Sequence, residues 1–188
     1  MRLQFLGFGL FSLLAAVPAT ASEYKTLPGS TLGFSGSFQG EPFAGNFARF
    51  SPKISFDPAK LAGSRFDVSI DLASADLRNE EWNDGLQSAD FFNSGKQAQA
   101  RFVATKFRAL GGGRFVADGT LTLRGVARPV ALTFTWTAGA RPVLAGEAQV
   151  KRLDFGIGAG DWSATDELPN AVRVRTRLLL APSAAPPK

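Results

Sequence analysis

From Arg65 to Leu72 the chain alternates without a fault. Phe66, Val68, Ile70 and Leu72 are apolar, while Arg65, Asp67, Ser69 and Asp71 are polar. A period of two puts the two sets on opposite faces of an extended strand, so this stretch predicts a β-strand with one buried and one wet face. The same period returns along most of the chain and constrains the fold more than any other feature. Over 31–38, Leu32, Phe34 and Phe38 share a face with Gly36. Over 43–56 the phase shifts: Phe43, Gly45 and Phe47 stand at odd positions, Phe50, Ile54 and Phe56 at even ones. A change of phase inside one strand marks a β-bulge, and Pro52 also demands an edge or a bulge. Further strands are predicted over 100–110, 115–123, 130–136, 144–151 and 173–180. In 100–110 a Phe102/Ala104 face competes with a Val103/Phe107 face. Gly40-Glu41-Pro42, Asp57-Pro58, Gly111-Gly112-Gly113 and the stretch Arg124–Pro129 mark the turns.

Eight strands with hairpin-length connections, no βαβ rhythm and no internal repeat leave a two-sheet sandwich or a closed barrel. Eight is also the number that closes a barrel able to hold one elongated ligand. Small inward residues (Gly36, Gly45, Ala117, Gly119, Gly146, Ala148) among large ones favour a lumen over a solid core. The expected fold is therefore all-β, a single eight-stranded antiparallel barrel of lipocalin-like form with a short helical insert between the third and fourth strands. The insert, 79–93, is where alternation stops, and Trp82 and Leu86, four apart, suit one or two helical turns. Two readings of it stand. It is a lid that lays Trp82, Leu86, Phe91 and Phe92 over an open barrel end, or a long crossover whose apolar side chains complete the core.

Met1 and Arg2 precede an apolar run, Leu3–Val17, which ends at Pro18 and Ala19-Thr20-Ala21. A short apolar run before an Ala-x-Ala site reads as a secretory signal rather than a bilayer span. Residues 1–21 are thus expected to be a cleaved signal peptide, 22–181 one barrel domain, and 182–188 a disordered Pro/Ala-rich tail.

Composition removes whole classes of chemistry. Cysteine and histidine are absent, which leaves no disulfide, no Ser-His or Cys-His dyad, and no basis for a zinc or haem site. The formal charge of +5 is spread along the chain. Arg173, Arg175 and Arg177 alternate on a strand and form a solvated face, so nucleic acid is not an expected partner. Phenylalanine dominates the aromatics, 17 Phe against one Tyr, and its rings line a surface without hydrogen-bonding atoms. Gly156-x-Gly158-x-Gly160, between the last two strands, lacks the strand–helix context of a nucleotide loop; its glycines let the backbone fold tightly over Phe155 and Trp162.

Read together, Gly45-Asn46-Phe47, Ile54-Ser55-Phe56-Asp57-Pro58, Val68 to Ser74, Leu86 with Asp90-Phe91-Phe92, Gly119 to Val126, and Arg152 to Gly158 resemble the YceI-like family. The resemblance covers nearly the whole mature chain. It implies a lipocalin-like barrel in the periplasm that binds a polyisoprenoid, with a tendency to form homodimers. Many members carry Arg-Asp-x-His before the leucine that matches Leu86, whereas this chain has Trp82-Asn83-Asp84-Gly85. It is similar to the branch with Glu-Trp there, found beside b-type membrane cytochromes, so a membrane cytochrome is an implied partner and a quinone-like or neutral head fits better than a pyrophosphate.

Three functions compete. The first is a periplasmic carrier or reservoir for a polyprenol or isoprenoid quinone, with no catalytic cofactor. Its ligand would be held by Phe34, Phe38, Phe47, Val68, Ile70, Phe102, Leu121, Leu123, Phe134 and Trp136 on the wall, Trp82, Leu86 and Phe91 on the insert, and Phe155 and Trp162 at the glycine loop. The second is an enzyme built on paired carboxylates among Asp67, Asp71, Asp76, Glu80, Glu81 and Asp84. That reading is set aside, because nothing in the sequence raises a carboxylate pKa and Asp67 and Asp71 lie on a wet face. The third is a stress or interaction protein serving a membrane redox complex, which requires a filled core and an exposed apolar patch.

Overall fold

The structure is a computed structural model that describes residues 21–183; the expected signal peptide up to Thr20, and residues 184–188 of the expected tail, lie outside them. β1 (Glu23–Thr26) bends through four residues into β2 (Thr31–Phe38), and β3 (Glu41–Phe47) continues past Ala48 and Arg49 into β4 (Phe50–Ser55). β5 (Arg65–Asp71) runs through a 3-10 turn, Leu72–Ser74, into the two-residue β6 (Ala75–Asp76). Helix α1 (Glu80–Gln87) follows, then β7 (Gln99–Gly111), β8 (Arg114–Leu123), β9 (Val126–Thr137), β10 (Val143–Lys151) and β11 (Ala171–Pro182). β11 pairs with β2 through Arg177 and Thr31 and with β1 through Leu180 and Thr26, so β1 and β2 act as one bent strand. β3 with β4, and β5 with β6, are bent in the same way. The product is a closed eight-strand antiparallel barrel whose strands follow chain order, sealed where β1 meets β11.

Local chemistry explains the bends. The phase change in 43–56 falls at Ala48–Arg49, where both amides leave the ladder: Ala48 N donates to Ser74 O at 3.0 Å and Arg49 N to Ser74 Oγ at 3.0 Å. β1 reaches only Ile54 and Ser55 of β4, which leaves Pro52 beside an unpaired edge, where a missing N–H is tolerated. The two competing faces of β7 are both real. Its register slips between Ala104 and Lys106, so Phe102 and Ala104 point inward before the bulge and Phe107 after it.

Both ends of the described stretch carry more strand than the alternation implies. β1 was not foreseen, because four residues carry no readable period. Its pairing draws β11 out to Pro182, opposite Tyr24, and Ser183 N donates to Glu23 O, so the ordered chain extends past 181.

The barrel interior divides in two. One end is a solid plug centred on Phe56, which is fully buried with the rings of Phe66, Phe107, Phe115, Phe134 and Trp136 around it at centroid distances from 4.9 to 5.9 Å. The other end holds a second cluster, from Phe34 and Leu72 to Phe155 and Ile157. Outside, Arg173 and Arg175 share Glu147, at 3.1 and 2.9 Å. Asp67 accepts from Arg101 at 2.6 Å and from Arg65 at 3.0 Å, bridging β5 to β7.

The Arg101 guanidinium, with Arg65 behind it, holds the Asp67 carboxyl down to about 2. A depressed carboxylate stabilises the fold above its unfolded pKa near 4 and loses that contribution as pH falls toward 2. Because both arginines are half exposed, the effect is on the order of 1–2 kcal/mol. Urea unfolding of Asp67→Asn should therefore match the wild type at pH 2 and fall below it by this amount at pH 6; parallel curves at both values would remove the pair from the account.

Candidate functional site

Between plug and far end the barrel encloses a cavity of about 200 Å³. Leu32 and Phe34 of β2, Phe66, Val68 and Ile70 of β5, Leu144, Ala148 and Val150 of β10, and Val172, Val174 and Leu178 of β11 form much of its wall. Among the described residues, Thr176 and Arg152 are the only polar side chains there. The Thr176 hydroxyl donates to Thr31 O at 3.0 Å, and every N–H of Arg152 is turned to a backbone carbonyl. The wall therefore offers apolar surface and no spare donor. Left empty, an apolar void of this size costs on the order of 5 kcal/mol at about 24 cal/mol per Å³. That is too large for a packing fault in a domain of marginal stability.

Of the residues singled out from the sequence, Phe34, Phe47, Val68, Ile70, Phe102, Leu121 and Leu123 line the cavity from the strands, and Leu86 and Phe91 line it from the insert. Phe92, the other insert ring, joins them. Six take other places. Phe134 and Trp136 stand on inward positions of β9 but below the cavity, inside the Phe56 plug. Phe155, 2% exposed, packs within the upper cluster behind the wall. Phe38 and Trp162 pair at 6.0 Å at the rim, and Trp162 also meets Phe91 at 5.6 Å. Trp82, 41% exposed, faces away on the outer side of α1. The wall residues of β10 and β11 were legible as inward positions but not as ligand surface, since alternation says which face is buried and not whether it is filled.

The inward glycines work differently from the expectation. They do not leave space; they let rings lie flat against the wall. A Cβ on Gly119 would stand 2.5 Å from the Phe102 ring and 2.8 Å from Val103 O, and one on Gly45 would stand 2.6 Å from the Phe34 ring. Gly119→Ala must push Phe102 into the lumen or part β7 from β8. It should cost about 2–3 kcal/mol and reduce ligand capacity as well. Equilibrium unfolding together with ligand stoichiometry checks this, and an unperturbed Ala variant would show that the ring has free room to move.

The loops around the mouth are tied together through backbone carbonyls. The α1 insert is capped by Asn79, whose side chain accepts from Trp82 N at 3.0 Å, and it turns back at Phe92 N to Leu86 O, 2.8 Å. Arg124, in the β8–β9 turn with φ of 52°, donates to Ala89 O, Asp90 O and Gly156 O, so it joins the insert to the glycine loop. Gly158 N adds a bond to Asp90 O. Inside the glycine loop Arg152, 3% exposed, donates to Ile157 O, Gly158 O, Trp162 O, Leu168 O and Pro169 O at 2.7 to 3.3 Å. Burial pushes its guanidinium pKa down. A Cβ at Gly158 would lie 2.7 Å from Arg152 Nη1, so the glycines wrap a guanidinium as well as rings. No sequence period pointed to Arg152, which entered the sequence reading only as the first residue of the Arg152–Gly158 motif and with no role of its own.

This geometry has relatives. The family model for the YceI-like domain matches residues 26–179. The chain belongs to the YceI-like family. Among similar sequences, a UPF0312 protein of Shewanella baltica OS185 is 33% identical over 158 residues, 78% of this chain and 82% of its own. Among solved structures, BcnA of Burkholderia cenocepacia superposes with a TM-score of 0.76 at 31% identity, covering 80% of this YceI-like chain and 95% of that one. A polyisoprenoid-binding domain from Saccharophagus degradans superposes with a TM-score of 0.64 at 19% identity, over 88% of this chain and all of that one, and shares the fold.

Proposed function

We propose that this YceI-like chain is an exported, non-enzymatic carrier that holds the hydrocarbon chain of an isoprenoid lipid, a polyprenol or isoprenoid quinone, in its lumen within the periplasm. The observation that carries the reading is an apolar barrel cavity whose polar wall groups are already satisfied. Such a wall solvates a hydrocarbon at about 0.8 kcal/mol gross per buried CH₂ and discriminates by shape rather than by polar contact. Ordering a flexible chain takes back part of that gain. The polyisoprenoid-binding neighbour of the same fold supports the class of cargo. The Ala-x-Ala leader supports export. A neutral or quinone head accords with a lumen whose one charged wall residue among those described, Arg152, is turned to backbone carbonyls, and a membrane cytochrome of the b type as acceptor belongs to the same proposal.

Linkage gives the test. Ligand at a hundredfold excess over Kd raises stability by about 2.7 kcal/mol, or several degrees of Tm. Delipidated protein titrated with a detergent-dispersed isoprenoid quinone should show that rise, and Val68→Glu, which sets a carboxylate in the dry wall, should abolish it. An unchanged Tm with quinones and with polyprenols would overturn the reading.

A further inference from the structure

The cavity ends on side chains that belong to both halves of the barrel. Ile54, Phe66, Leu144 and Leu178 line the lumen and are at the same time members of the plug cluster. Each is 1 to 3% exposed. Below them the barrel is not finished: strands continue, but the space is filled with rings. Phe107 lies 4.8 Å and Phe134 5.3 Å from Phe66, and Phe56 sits behind them. The boundary between hollow and solid is thus set by a few side chains within one continuous barrel and not by a backbone closure.

We propose that this floor, with Phe66 as its central residue, sets how much hydrocarbon the lumen accepts and so the chain length beyond which affinity stops rising. The proposal rests on the carrier reading. Lumen-lining positions run from Phe66 on β5 to Leu72 just past its end, which at about 3.3 Å per residue and a barrel tilt near 40° gives roughly 15 Å of depth. Carbon added to a chain within that depth is buried and raises affinity. Carbon added beyond it meets the Phe66 ring or is left in water at the rim, and contributes nothing. Phe66 is suited to this role because its ring is held from below by two others, so it cannot yield without opening the plug.

The test uses two homologous series, prenyl alcohols lengthened one isoprene unit at a time and straight-chain alkanols, each titrated against the whole mature protein. The readout is the chain length at which affinity stops rising. Phe66→Ala frees about the space of one isoprene unit and should move that length up by about one unit. Ala148→Leu, which adds carbon to the wall two inward positions from Leu144, should move it down by a similar step. Phe66→Leu, gentler on the plug, should give a smaller upward step and guards against a Phe66→Ala variant that does not fold. Binding of both series with the length limit fixed across folded variants overturns the floor and leaves the carrier reading intact. Alkanols with a moving limit, alongside prenyl alcohols that do not bind, keep the floor and overturn the isoprenoid reading. No binding of either series overturns both.

Discussion

Arg152→Met should destabilise the protein by about 3–5 kcal/mol, the largest effect expected of any single charge. Among the described residues the guanidinium has no carboxylate partner. Its charge is held by five carbonyl oxygens, from Ile157, Gly158, Trp162, Leu168 and Pro169. Removing it leaves those acceptors with no donor, and each buried one costs about 1–3 kcal/mol until the loop opens to water. Loss is therefore limited by unfolding of the loop over 153–169, which should become visible as amide exchange there well before global unfolding. Arg152→Lys keeps the charge but loses the planar fork, and should fall between wild type and Met. Urea unfolding with hydrogen exchange measures both. A Met variant within 1 kcal/mol of wild type would mean that the glycine loop holds together without it.

Phe56→Ala is expected to cost about 4 kcal/mol, at the upper end for a buried aromatic, because five rings surround the site and none is free to collapse into it. Val68→Ala should lie near 1 kcal/mol, since Val68 faces a cavity and loses few neighbours. The contrast between the two substitutions separates plug from lumen. Similar costs at both positions, measured from denaturant midpoints with unchanged m-values, would mean that the barrel interior is uniformly packed.

Strand content and the position of the insert were legible because a sheet with one wet face writes its period into the sequence, whereas a sandwich and a barrel share that period. Arg65–Leu72 needed nothing more. What escaped reading was anything set by contacts between distant segments. β1 is too short to show a period and exists because β4 and β11 pair with it. The two phases of β7 looked like a contradiction until the slip beside Lys106 reconciled them. For the site, alternation found inward residues but not their height along the barrel axis. Phe134 and Leu132 are adjacent inward positions on β9, yet Leu132 lines the lumen and Phe134 belongs to the plug. Height depends on tilt and register, which no local pattern encodes. The glycines misled for a related reason: an absent side chain reads as space, whereas at Gly45 and Gly119 a ring from the neighbouring strand occupies it.

The most direct test of the central claim is native mass spectrometry, with organic extraction, of the protein isolated from its own cells. The expected result is one isoprenoid chain per barrel, long enough to fill the lumen and carrying a neutral or quinone head. A barrel that comes out empty, and remains empty when offered isoprenoid quinones and polyprenols, would contradict it.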